Sequence, residues 1–561
     1  MSKRRITSTP IRTPLATRSA PTFTISSNGQ ILSSQLRILS VRTFNFINEI
    51  PIAFVEFQNQ NFKLSESEEF LFGAEWEIKA GYNSNEEVLF KGVVLSHKSF
   101  SDNKRNVLQV QLKDSTFRLD AGPSSHSFYD LNDKDIVDNI LSKYSLQAHS
   151  IQGMEFVHEN VTQLNQTDWS FILERAKRNA CYVGVKEGKV TVNKINYRAE
   201  PSLEINSKKV NNHELTLDSE PQAEELKGKV WNIQDQEMTE STIRSRDKVQ
   251  VQLAKFIGSE ELNIINDPYL SQEELDYTLE AELSEKWLSR IRGFVEIQGN
   301  ALLNSGDYVK LDGFGKYLSQ TVFVNGVEHE IEDGKWNSTI SIGLDIQEYQ
   351  EPETSIGGIH IGVVTEVEGG EGHAVKVKIP SVGDDASGIW ARLTSTGAGT
   401  NKGLLFRPDI GDEVLISFLG GSLQNPVVIG GLHSEAKPSP ISDSEGLDIK
   451  GIFTKSGLKM TFDDEAGAIK LETTEGNKVS ISQDEGVLLE DQSGNRLTMD
   501  SNGITISSQS DLNLSATGDI TINGVNISAN SDAEISLIGG ASAELKSNAI
   551  TRIQGSLVQI N

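Results

Sequence analysis

With a single cysteine, Cys181, in 561 residues, the chain can form no intrachain disulfide and no multi-cysteine metal site, and it suits a reducing compartment. It also lacks any run of about 18 apolar residues, the length a membrane-spanning helix needs. Positive charge is scarce: 52 Lys and Arg stand against 79 Asp and Glu, a formal net charge of −27. Clustered Lys and Arg are what grip phosphate backbones, so this balance argues against a nucleic-acid partner and disfavours adhesion to an anionic leaflet. The last histidine is His433 and the last aromatic is Phe462. Everything beyond them therefore has no histidine for a metal site and no ring on which a sugar could stack.

The usual marks of catalysis are missing as well. His213-Glu214 and His329-Glu330 lack the second histidine of a zinc helix, and there is no Gly-x-Ser-x-Gly elbow. The segment Gly397-Ala-Gly-Thr-Asn-Lys-Gly403 has glycines like those of a phosphate loop, but it joins strands and has no Lys-Ser or Lys-Thr after its second glycine. The acidic pairs Asp463-Asp464 and Asp384-Asp385 read as solvated turns, and Cys181, with no neighbouring histidine, as a buried structural thiol. No catalytic residue, cofactor or metal is expected, and the chain is not expected to be an enzyme.

What is present is a string of β patterns. Residues 1–20 carry five basic groups and no acid without an apolar segment, which reads as a disordered basic arm and not a secretory leader. From residue 21 to 350 the text is α+β. Strand-like units such as Ala53–Phe57, Trp76–Ile78 and Val88–Leu95 lead, and two helical spacings follow, Ile136 to Tyr144 and Trp169 to Ala176. A third helix opens on a Ser271-Gln-Glu-Glu274 capping box and continues through Leu275, Leu279, Leu283, Trp287, Leu288 and Ile291. Strands resume over Phe294–Leu344, with turns at Asn304–Asp307 and Glu332–Gly334. After a boundary at Glu351–Ser355, five short strands in residues 356–434 predict a small closed barrel of OB type. Residues 435–452 read as a linker.

Residues 453–561 are repetitive. Glycines at 457, 467, 476, 486, 494 and 503 are separated by 10, 9, 10, 8 and 9 residues, with x-apolar-x-apolar units between them. The period then tightens to about eight through Ile504-Thr-Ile506, Leu512-Asn-Leu514, Ile520-Thr-Ile522, Val525-Asn-Ile527 and Ile535-Ser-Leu537. Each strand offers two aliphatic side chains on one face and Ser, Thr, Asn or Asp on the other, so one chain alone encloses little core and leaves its edges unpaired. Three copies around a common axis remove both difficulties. That places Ile504, Ile506, Leu512, Leu514, Ile520, Ile522, Ile535 and Leu537 on the axis of a needle. Ile553, Leu557 and Ile560 then either close the repeat or present an apolar end to a capping partner.

The order of these parts resembles the VgrG-like spike proteins of contractile injection systems, related to contractile phage tail hubs and spikes. The resemblance rests on Phe72–Tyr82 with Leu89–Val93, on the helix Gln166–Ala176, and above all on Gly397–Gly399 through Phe406–Ile416 closing at Asn425–Gly431. Thr454–Asp464 resembles the approach to the family's needle. The resemblance implies a mainly β homotrimer of three parts: phage-tail-hub-like β domains with helical insertions, an OB-fold collar and a triple-stranded β-prism. It implies a hub docked on inner tube and baseplate proteins, and a PAAR-type tip protein at the C-terminus. Further partners would be effector cargo and, transiently, a target membrane punctured on contraction. Such a protein is made in the cytoplasm without a signal peptide and acts within a phage-tail-like particle. Only about fifteen residues separate barrel from needle, too few for the lysozyme domain of some phage spikes, and a toxin domain such as some relatives carry after the needle is not expected. The rival reading is a tailspike-type β-helix protein that binds or degrades a surface polysaccharide, which would line its needle with a carboxylate groove.

Overall fold

In a computed structural model, residues 20–60, 62–102, 105–196, 198–220, 222–232, 236–255, 260–263, 271–344, 358–380, 388–421, 425–442 and 444–560 are described. All but the last residue of the basic arm, the boundary at 351–355 and the pair Asp384-Asp385 lie outside them. The chain divides into two compact units, Met1–His433 and Ser434–Asn561.

The first unit is organised by one thirteen-stranded sheet. Its strands form where apolar residues alternate: in Ile52–Gln58 every second side chain, Ala53, Val55 and Phe57, is fully buried. Residues 21–113 supply one half of the sheet and residues 203–217 and 291–342 the other, each over its own core. The halves meet where Ile38–Phe46 pairs antiparallel with Thr321–Glu332. At the end of that seam Gly326 lies opposite Phe46, and a Cβ at Gly326 would stand 2.0 Å from the Phe46 ring. A side chain there would push the strands apart.

Two insertions interrupt the sheet. The first holds helices α1 (Asp133–Lys143) and α2 (Asp168–Arg178) around a core that includes Ile136, Leu141, Phe171 and Ile172. The helices start where a side chain can accept a free amide: Asn132 from Asp135, and Thr167 from Ser170. The second holds α3 (Lys248–Ala254), which the hydrophobic spacing did not announce, and α4 (Gln272–Ser289). The Ser271–Glu274 capping box is present at the start of α4, and Leu275, Leu279, Leu283, Trp287 and Leu288 are buried as their spacing predicts. Ile291 departs from that expectation. The helix ends at Ser289, and Ile291 opens the strand Ile291–Gln298, where it pairs with Leu217.

Residues 360–431 close into a five-stranded barrel: His360–Glu366, Val375–Lys378, Ile389–Leu393, Glu413–Phe418 and Pro426–Gly431. Its core includes Val364, Val377, Ala391, Val414 and Ile416. Gly397–Gly403 is a short hairpin, Ala398–Gly399 against Lys402–Gly403, as a strand connection requires. The barrel packs on the first insertion: Leu164 joins its core, and the Tyr129 hydroxyl donates to Gly388 O at 3.1 Å.

One buried titratable group in the sheet makes stability depend on pH. His329 is buried; Ser338 Oγ accepts Asn300 N–H at 2.9 Å and shares a hydrogen bond of 2.8 Å with His329 Nδ1. Burial lowers the His329 pKa to about 4, against an ordinary 6.5. The imidazole is thus neutral in the folded state. Between pH 6.5 and 4 the unfolded chain binds a proton that the folded chain does not, so stability falls as pH falls through this window. The loss levels off below it, at about 3 kcal/mol. Denaturant midpoints of the native chain and His329→Gln across pH 4–7 check this: the native curve should slope more steeply.

Candidate functional site

The second unit begins as a seven-stranded antiparallel meander: Ile449–Phe453, Lys459–Asp463, Ala468–Glu472, Lys478–Ser482, Gly486–Glu490, Arg496–Asp500 and Gly503–Ser507. The sheet starts at Ile449, inside the segment 435–452 that the sequence suggests is a linker. Each of the six regularly spaced glycines, 457, 467, 476, 486, 494 and 503, has positive φ, between 54° and 124°. They recur because each marks a turn where the chain enters a conformation other residues resist.

The turns alternate between two designs. Thr454-Lys-Ser-Gly-Leu458, Thr473-Thr-Glu-Gly-Asn477 and Asp491-Gln-Ser-Gly-Asn495 share one form. In each, a side-chain oxygen of the first residue accepts the amide of the fifth, at 3.1, 3.2 and 2.9 Å. At the opposite end of the sheet, Asp463, Ser482 and Asp500 accept the amides of Ala466, Glu485 and Asn502. The structural repeat is therefore a hairpin that returns every 18 to 19 residues, two of the 8–10 residue sequence periods. Asn477 and Asn495 tie successive turns together, accepting the amides of Gln492 and Gln509 at 3.1 and 2.7 Å.

Register decides what the two faces of this sheet offer. Residues directly opposite share a face. One row runs Ile452, Met460, Leu471, Val479, Leu489, Leu497 and Ile506. A second row on the same face runs Phe462, Ile469, Ile481, Val487, Met499 and Ile504. The other face carries Lys459, Glu472, Lys478, Glu490 and Arg496 in direct succession, so its charges alternate in sign across the strands. Glu490 takes Lys478 and Arg496 each at 2.9 Å, and those two hydrogen bonds hold its carboxyl below the usual range. These carboxylates are paired with cations, which is not how a sugar-hydrolysing groove is built.

Among the described residues, much of the apolar face stays open to solvent. Leu471 is 45% and Ile481 50% exposed, whereas aliphatic residues in the first unit's cores lie near zero. A continuous apolar surface of this kind marks an interaction site. Of the residues that the sequence places on a trimer axis, Ile504 and Ile506 complete the two rows. Leu512, Leu514, Ile520, Ile522, Ile535 and Leu537 lie beyond the last strand and are exposed, Leu537 at 85%, as are Ile553, Leu557 and Ile560. The structure thus brings Ile504 and Ile506 onto a common face with eleven further apolar side chains and gathers none of the others. Those eleven were missed as site residues, although the alternation that reveals them, Ile469-Lys-Leu471 and its kin, was in plain view.

The first unit holds a polar cluster that is structural. Arg175 on α2 is buried and grips Asp133 at the start of α1 with two hydrogen bonds, 2.5 and 3.0 Å, while Asn179 donates to the same carboxylate at 2.7 Å. Burial pushes the Asp133 carboxyl up, but the Arg175 charge and the hydrogen bonds from His158 and Arg175 override it and hold it well below the usual range. Cys181 is buried nearby, its thiol pushed up to about 12 by burial, which makes it inert as a nucleophile at neutral pH.

Known families cover most of the chain. Residues 17–333, more than half of the 561, match the family described as the Alg8 N-terminal domain. Residues 360–433, the barrel, match the type VI secretion system/phage-baseplate injector OB domain, and residues 468–551 the phage baseplate V C-terminal trimerisation domain. A type VI secretion system spike protein, VgrG4b of Pseudomonas aeruginosa, is 34% identical over 100 residues, 16% of this chain and 12% of that protein. The actin cross-linking toxin VgrG1 of Vibrio cholerae is 27% identical over 131 residues, 21% of this chain and 12% of the toxin. The matched stretches thus span about an eighth of these relatives. Among solved structures, the lidded Francisella PdpA-VgrG complex shares the fold, with a TM-score of 0.55 at 11% identity over 87% of this chain and 80% of that one. The chain belongs to the family of the Alg8 N-terminal domain and, with its injector-type barrel and its trimerisation domain, is a VgrG-like spike protein.

Proposed function

We propose that three copies of this chain form the spike and hub of a contractile injection machine, one that docks on the inner tube and punctures a target envelope to deliver effectors. In this reading residues 21–350 are the hub, 356–434 the collar and 453–561 the needle, with 435–452 joining them and 1–20 a basic arm. Ile504, Ile506, Leu512, Leu514, Ile520, Ile522, Ile535 and Leu537 line the needle axis. Ile553, Leu557 and Ile560 receive a conical tip protein.

One observation carries the proposal: the second unit exposes a continuous apolar stripe, and the part of it from Ile469 onward lies in a stretch matching a trimerisation domain. Polar residues on the opposite face suit a rod that passes through water and headgroups without sticking. The test is negative-stain imaging of contractile particles from cells that make this chain, labelled with an antibody to residues 21–350. Label at one end of the tube, and particles lacking a baseplate when the chain is deleted, are the expected results. Label along the sheath, or intact particles without the chain, would overturn the proposal.

A further inference from the structure

The second unit changes its bonding between Ser507 and Ser508. Up to Ser507 every strand pairs with its sequence neighbour. Among the described residues 508–560, no backbone amide donates to a backbone carbonyl. No glycine after Gly503 has positive φ, so the turns that fold the meander back on itself stop there. From Gln509 to Ile560 every residue is exposed, including Val525, Leu537 and Ile538.

The two stretches therefore face different assembly problems. The meander consists of adjacent hairpins, whose contacts are local, so each copy can form it alone and fast. Its turns also fix its register. The stretch beyond has two aliphatic residues about every eight, and a slip of one repeat matches aliphatic to aliphatic again. A register so weakly specified has to be set from outside.

We infer that residues 449–507 are a register-setting platform: two further copies of this chain cover its two-row face, and residues 508–560 gain backbone partners from those copies only after the platform has formed. The occupant is a second copy because the trimerisation-domain match, 468–551, runs across the Ser507 junction, making both stretches one interface. From the second strand of the sheet onward the rows carry no charge; on the first strand Lys450 lies opposite Phe462, and it is already paired with Asp464, so the face offers little to a charged partner. They are also irregular: Met460 and Phe462 stand at one end and Met499 near the other, so a shifted alignment leaves voids that a correct one fills. The inference rests on the trimeric reading above.

Two full-length variants test it. Leu471→Asp with Leu489→Asp charges the platform at positions a single chain leaves 45% and 42% exposed, so folding of each copy should survive. Light scattering should report a monomer, with fast hydrogen exchange over 508–560 although that stretch is unaltered. Ile520→Asp with Ile522→Asp should stay trimeric in native buffer, with 449–507 protected and 508–560 open to exchange and protease. During assembly of the native chain, pulse-labelled exchange should protect 449–507 first. A trimeric platform variant, a monomeric Ile520/Ile522 variant, or the reverse order of protection would overturn the inference. A monomeric native chain would instead overturn the trimeric reading itself.

Discussion

Ile520→Asp is expected to abolish the resistance of the assembled protein to heat and detergent. Once residues 508–560 pair as strands, alternation would put Ile520 and Ile522 on one face and Thr521 between them on the other. If the first two point to the axis, three copies bring three carboxylates to one level. Desolvation and mutual repulsion then cost on the order of several kcal/mol at that level. Ile522→Asp should behave alike and Thr521→Asp should not, because its carboxylate stays in water. Acid should partly restore Ile520→Asp, since a protonated carboxyl removes the repulsion. Mobility of unboiled samples in SDS and thermal scans at neutral and acid pH read these outcomes. An Ile520→Asp trimer with its resistance intact would remove this residue from the axis.

The second large effect concerns the hub. Arg175→Met removes the cation that holds Asp133 ionised and leaves a carboxylate buried between α1 and α2 with Asn179 and His158. Breaking one side of such a pair costs about 3–5 kcal/mol. Amide exchange over α1 and α2 should therefore quicken roughly 100- to 4000-fold, since each 1.4 kcal/mol is a factor of ten. Removing both charges, in Asp133→Asn with Arg175→Met, should return most of the loss, because the penalty belongs to the uncompensated charge. If the single variant exchanged like the native protein, the ion pair would not be what joins the helices. The native pair also has a pH limit of a definite sign. Asp133 is held below its ordinary 3.8, so its stabilisation is complete above that pH and is lost only as pH falls below it.

Much of this molecule was legible in the sequence because the determining interactions are local. The Ser271–Glu274 capping box, the helical spacing of Ile136 to Tyr144 and the five barrel strands all depend on residues a few positions apart. The needle glycines were legible too, since positive φ leaves a composition mark. What escaped lies at long range or in register. The seam between residues 38–46 and 321–332 joins segments nearly three hundred positions apart, and no alternation within either strand names its partner. The 18–19 residue hairpin hid behind the 8–10 residue glycine spacing, because both turn designs use glycine and only their side-chain caps differ. Arg175 and Asp133 each look like an ordinary helix-surface charge; only the packing of α2 on α1 buries them together.

The charge of the chain gains a location from the register. Residues 441–561 hold 18 acids and 8 bases, and within the meander Lys459, Lys478 and Arg496 lie opposite Glu472 or Glu490 on the polar face. Pairing there steadies strand order, while the excess acid keeps edge-rich β structures from adhering to one another.

The native mass of the purified full-length chain tests the central claim most directly. A VgrG-like spike whose aliphatic rows are covered by its own copies should weigh about 185 kDa by native mass spectrometry, three times the 61.6 kDa of one chain. A stable species at 61.6 kDa, with residues 508–560 exchanging freely, would contradict it.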